Sequence, residues 1–291
     1  MDGKVKGILF MPINSTMVIS ILGSLGVASI AQVISHGLAQ KREDNKYNKE
    51  CLQNLYSPII FKIRDYINGE AYRESVFTTD YYNTSEYLED PQNPDILLKK
   101  IMEHLESNLK YSSAEMIMKY EEVRIMLELY NDEREDRAVL LKPTMDLCGE
   151  FLMEFIKISK ELDIISNTIK KEIISALLFT QFYLLISDIG LYYIRMESPY
   201  LINFLNYREL SLSTQDNWAQ KCINLRQKIK STMKEIDNIN DLDEELIGET
   251  LELLFDIINE FSKYSSNAND IAKSWLEVLN ESQNLRTKIL G

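Results

Sequence analysis

Hydrophobic and polar positions divide the chain into two regimes. Between Gly7 and Gln40 no side chain carries a fixed charge, and Ile13 to Leu38 is predominantly apolar through Met17, Val18, Ile21, Leu22, Leu25, Val27, Ile30 and Val33. Beyond Lys41 the apolar residues recur every three or four positions with charges between them, the period of amphipathic helices. No stretch alternates with the period of a strand, and no segment repeats at a fixed interval. The pattern predicts an all-α chain: an N-terminal transmembrane helix, then a multi-helix bundle of about eight helices.

A helix needs ~20 residues to cross a ~30 Å hydrocarbon core, and residues 13–38 meet that length. Serines within the run can bond back to a carbonyl one turn earlier. Two other readings compete. One is a cleaved signal peptide, with Lys4 and Lys6 as its basic start and Gly37-Leu38-Ala39 as its cleavage site, although the run is longer than such a signal needs. The other is a buried helix. Lys41, Arg42, Lys46 and Lys49 after the run outnumber Lys4 and Lys6 before it, which puts the body at the cytoplasmic face. Ser20, Ser24 and Ala28 fall on one helical stripe beside Gly23, and small residues there would let two anchors pack closely as a homo-oligomer.

Capping residues mark the helices of the body. Ser57-Pro58 opens a helix to Ile67, stopped by Asn68-Gly69. Residues 69–93 read as a polar loop rich in tyrosine and acid. Pro94 opens the next helix, and Ser112 with Glu115 has capping-box spacing before 116–130. Pro143 opens a helix over 144–161, Asn167 one running to about Met196, and Ser198-Pro199 a short one to Leu210. Further helices are expected over 214–237, over 242–264 and from Asn269 onward. The mixed charge run 132–137 suggests a sub-boundary near 131–143 within a body that spans 41–291, behind an anchor of 1–40.

Ile173–Ile194 is the other apolar run, with Asp188 as its one charge. A second span would place Gln181 and Asp188 in hydrocarbon, and Asp costs ~2.5–3.5 kcal/mol at a helix centre. A bundle also needs one helix that is apolar all round. The core reading is therefore preferred. On it Asp188 needs a hydrogen-bonding partner, and as an acid in an apolar helix it is the one side chain singled out for a shifted pKa.

Charge and composition narrow the function. The chain carries a net charge of −13. Residues 1–40 contribute one net positive charge, so 41–291 carry −14. Such a body repels phosphate backbones, and nucleic acid is not expected as a partner. Cys51, Cys148 and Cys222 are far apart and sit in helical patterns, so they read as reduced buried thiols. The two histidines, His36 and His104, allow no histidine-rich metal site. There is no Gly-rich phosphate loop, HExxH or GxSxG, and Glu121-Glu122 with the other acidic clusters read as solvated faces. No catalytic, cofactor-binding or metal-binding residue is assigned, and no cofactor is expected.

These features lead to an expectation. The chain is a single-pass membrane protein, held in the bilayer by residues 13–38, whose body binds an as yet unidentified protein partner at the cytoplasmic face of a bacterial membrane. The alternative is a membrane-acting effector of phage exclusion or abortive infection that oligomerises through its transmembrane helix. The Lys-, Asn- and Ile-rich composition suggests that setting by analogy alone.

Overall fold

The structure is a computed structural model, and it describes residues 40–75, 92–129, 134–207, 210–234, 244–263 and 266–290. The chain divides into two compact units, Met1–Lys49 and Glu50–Gly291. In the first, residues 40–49 are helical. The expected span 13–38, with Ser20, Gly23, Ser24 and Ala28, lies outside the described residues. Among those that are described, no helix is long and apolar enough to cross a membrane.

The second unit is all-helical among its described residues. A π-turn over Leu52–Tyr56 precedes ten α-helices, where the pattern suggested about eight. They are α1 (Ile60–Ser75), α2 (Pro94–Asn108), α3 (Ala114–Leu129), α4 (Arg134–Leu162) and α5 (Asn167–Asp188). After these come α6 (Tyr192–Glu197), α7 (Pro199–Tyr207), α8 (Leu212–Thr232), α9 (Glu244–Ser262) and α10 (Ser266–Leu290).

The hub is α5, which packs on α8, α4, α7, α1 and α6. Every residue from Ile173 to Ile186 is buried, so this run is a core helix. Two of its buried hydroxyls find acceptors: Thr180 Oγ1 donates to the Ala176 carbonyl one turn earlier at 2.7 Å, and Ser175 Oγ donates across to Gln215 Oε1 of α8 at 2.7 Å. Ser166 caps its first turn, accepting from the Ile169 N–H. The helix ends before Met196 because Gly190 adopts a positive φ of 76°. The Gly190 N–H donates to Ser187 O and the Leu191 N–H to Ile186 O, the paired bonds of a Schellman cap. Asp188 thus stands in the last turn of α5.

An aromatic chain ties the far helices to this hub. Phe204 of α7 meets Phe261 of α9 edge-on at 5.5 Å between centroids, and Phe261 stacks on Trp275 of α10 at 5.5 Å. Trp275 also faces Phe182 of α5 at 6.4 Å. The buried indole N–H donates to Glu197 Oε2 at 2.8 Å, which satisfies the polar atom this packing would otherwise strand.

Several local expectations are corrected by tertiary packing. Asn68-Gly69 does not stop α1, which runs through it to Ser75. A Cβ on Gly69 would lie 2.8 Å from Pro94 Cγ, so the glycine serves the close approach of α1 to the start of α2. Ser57-Pro58 does not cap a helix; Ser57 is itself in helical conformation and closes the π-turn through its N–H to Leu52 O. Asn93 caps α2 by accepting from the Asp95 N–H at 2.8 Å. The α3 cap is Ser113, which accepts from the Met116 N–H at 3.1 Å, whereas Ser112 Oγ is buried without a partner. Pro143 lies inside α4, which begins at Arg134.

Candidate functional site

Charged residues four apart share a helix face. In α4 that spacing aligns Lys142, Asp146 and Glu150, in α8 Arg226 and Lys230, and in α3 Glu115 and Lys119. The three faces converge with the end of α5 on one buried ion network. Arg226 is its centre, 5% exposed. Its Nε donates to Asp188 Oδ2 at 2.9 Å, Nη1 to Gln181 Oε1 at 2.8 Å and Nη2 to Asp146 Oδ1 at 2.9 Å. Lys142 Nζ reaches Asp188 Oδ1 at 2.8 Å from the solvent side. Lys230 Nζ reaches Asp146 Oδ2 at 3.0 Å. Lys119, itself buried, lies 2.8 Å from Glu150, 3.5 Å from Glu115 and 3.6 Å from Asp146.

The network joins α3, α4, α5 and α8, and it pairs four cations with four carboxylates. Burial alone would raise the Asp146 carboxyl; Arg226, Lys119 and Lys230 outweigh it and bring that group down to about 2. Burial works to lower the Lys119 ammonium, but Asp146, Glu150 and Glu115 leave it raised. Asp188 is at the negative end of the α5 dipole, where a carboxylate is unfavourable. Arg226 and Lys142 compensate it. With one oxygen on each cation, this carboxylate fastens the end of α5 to α4 and α8. The Gln181 Nε2 is the one network donor left without a partner, and a Cβ on Gly149 would lie 2.7 Å from it.

Other clusters are similarly occupied. Arg73 binds Glu70 within α1 and Asp95 of α2 at 3.0 Å. His104 Nε2 lies 3.0 Å from the Leu55 carbonyl. All three cysteines are buried without a disulfide, and burial pushes the Cys222 thiol up to about 12, too high to react at neutral pH. A cleft of about 800 Å³ opens beside the start of α5, lined by Arg64, Lys171, Glu172 and Ser175 among others. Its Arg64 is already engaged by Asp65 and Glu172.

What the network holds in place is α3. Met116, Lys119, Tyr120 and Val123 form its buried face. On the opposite side, Met118, Ile125 and Leu129 are 61%, 47% and 71% exposed. They follow one another at i, i+7 and i+11, a single stripe, with Glu122 between Met118 and Ile125. Glu121 and Glu128 border it, both bound to Arg124 at 2.8 and 2.6 Å. Pattern reading placed a helix here but did not single out the stripe, since telling a helix's two apolar faces apart requires knowing which one the bundle covers. Asp146, Lys119 and Arg226 were missed because each is an ordinary charge locally. Comparisons with protein-family models, with curated proteins and with solved structures gave no match.

Proposed function

We propose that the chain is a protein-interaction module tethered to a membrane. Residues 13–38 would hold it in the bilayer, the body would stand at the cytoplasmic face, and α3 would be the surface that takes the partner. The observation behind this reading is the exposed stripe Met118, Ile125 and Leu129 on a helix whose other face is clamped by Lys119. Such side chains gain roughly 1–2 kcal/mol apiece on being covered at these exposures. A helix already fixed to its neighbours loses little further entropy on binding.

The test uses the full chain in its host membrane. A photo-crosslinking residue in place of Met118 should give one discrete adduct in the membrane fraction, lost on Leu129→Glu. Deleting residues 1–40 should release the body into the soluble fraction. A chain that stays with membranes after that deletion, or an adduct indifferent to Leu129→Glu, overturns the proposal. Dye leakage from vesicles carrying the purified chain would favour the membrane-acting effector instead.

A further inference from the structure

We infer that the partner of α3 is a cationic amphipathic helix, apolar along the side that meets Met118, Ile125 and Leu129 and bearing Lys or Arg where it meets Glu121, Glu122 and Glu128. This rests on the reading of α3 as a docking surface and specifies what docks there.

The length of the stripe suits a helix. From position 118 to 129 it extends about 16 Å, or three turns, at 1.5 Å per residue. A second helix can lay its own ridge along such a face. An extended peptide gains its affinity from the edge of a sheet, and the described residues of this unit contain none.

Charge then selects among possible helices. Glu122 is exposed and sits within the apolar stripe. A wholly apolar partner would cover this carboxylate with no cation to meet it, and an unpaired buried charge is strongly unfavourable. A second copy of the chain would set Glu122, Glu121 and Glu128 against the same acids. An anionic lipid surface would be repelled by them too. Arg124 is the one cation on this side of α3, and it is already shared between Glu121 and Glu128. A partner bearing its own cations is left as the occupant that both covers the stripe and pairs its acids. The −14 carried by residues 41–291 would also steer such a partner toward the body.

The experiment titrates full-length chain in zwitterionic nanodiscs, against empty discs as the blank, with two synthetic helical peptides of one pattern: leucine with lysine, and leucine with glutamate. The lysine peptide should bind, and its affinity should fall as salt rises. Glu122→Gln should weaken it about tenfold, in line with the loss of one close charge pair. The double variant Ile125→Ser, Leu129→Ser should abolish it, while both variants stay folded with unfolding midpoints close to wild type, since Glu122 and Leu129 are exposed and Ile125 is half-exposed. Equal binding of the lysine peptide to wild type and the double variant overturns the inference, as does binding of the glutamate peptide. Self-association abolished by the double variant would assign the stripe to a second copy and overturn it as well. The Met118 crosslink separates the two claims. An adduct that needs Leu129 but ignores Glu122→Gln leaves the docking surface standing and removes the cationic partner, whereas an adduct indifferent to both removes both.

Discussion

Arg226 Nε donates to Asp188 Oδ2 at 2.9 Å, joining the middle of α8 to the last turn of α5. The pair is almost dry, with side chains 6% and 8% exposed. Each ion offsets the other: Asp188 is one of three acceptors for the guanidinium, and the guanidinium joins Lys142 in countering the negative end of α5 at Asp188. Arg226 also holds Asp146 and Gln181, so three helices meet on one planar fork.

Removing the centre should therefore cost more than removing a rim. Arg226→Met leaves Asp188 and Asp146 close together without their shared cation, and should lower stability by about 3–5 kcal/mol. Asp188→Ala leaves Arg226 with Asp146 and Gln181, and should cost about 1–3 kcal/mol. Arg226→Lys should resemble the methionine variant more than wild type, because an ammonium cannot reach three acceptors in fork geometry. Chemical denaturation of the three variants checks the order. An Asp188→Ala variant as stable as wild type would mean that the pair contributes nothing net.

Three glycines in helices should respond to alanine with different signs. Gly248 in α9 has nothing within 4 Å of an added Cβ, so Gly248→Ala should stabilise by about 0.5–1 kcal/mol through helix propensity. Gly69→Ala meets the rigid Pro94 ring at 2.8 Å, and should destabilise despite the same propensity gain, since α1 and α2 must separate. Gly149→Ala meets the end of the Gln181 side chain, which could swing aside were its Oε1 not held by Arg226. Its cost should fall once Arg226 is replaced, a coupling that a double-mutant cycle measures.

These positions also mark how far the sequence is legible. The all-helical class and the burial of Ile173–Ile186 followed from apolar spacing, because an unbroken apolar face has few places to go. The start of α2 at Pro94 followed from the fitness of proline for a first helical turn, which is local. Asn68-Gly69 looks like a stop in any local reading, yet its use depends on Pro94, which reaches it only in the folded chain. Pro143 likewise marks a helix start on local grounds, and α4 absorbs it because packing on α3 and α5 outweighs the lost hydrogen bond. The ion network was the least legible part. Arg226 lies 80 residues from Asp146 and 38 from Asp188, and no periodicity links them.

Lys119 should control the order of α3 without controlling the core. Lys119→Met keeps the length of the buried stem but strips a cation from Glu150 and Asp146. Hydrogen exchange of α3 amides should quicken, reflecting a local loss of about 1–3 kcal/mol, while α5 amides keep their protection. Equal acceleration in both helices would show that the clamp is part of the global core and not a local attachment.

Acid should act on this fold in two separate windows. The Asp146 carboxyl sits at about 2 in the folded chain, against an ordinary value of 3.8. A depressed acid contributes stability above its unfolded pKa and loses it as pH falls through the folded one, so about 2 kcal/mol should disappear between pH 3.8 and 2. Glu70 has the opposite sign. Burial raises its carboxyl above the ordinary 4.5 even with Arg73 beside it. Its contribution is full below 4.5 and is lost as pH rises through the folded value, so ionised Glu70 is a net cost near neutrality. The stability of wild type minus Glu70→Gln should therefore grow as pH falls toward 4.5 and then level. The stability of wild type minus Asp146→Asn should hold level down to about pH 4 and then fall. Denaturation midpoints from pH 7 to 2 for the three proteins give both differences. Parallel curves for wild type and Asp146→Asn below pH 4 would mean that Arg226, Lys119 and Lys230 do not hold that carboxylate in the folded state.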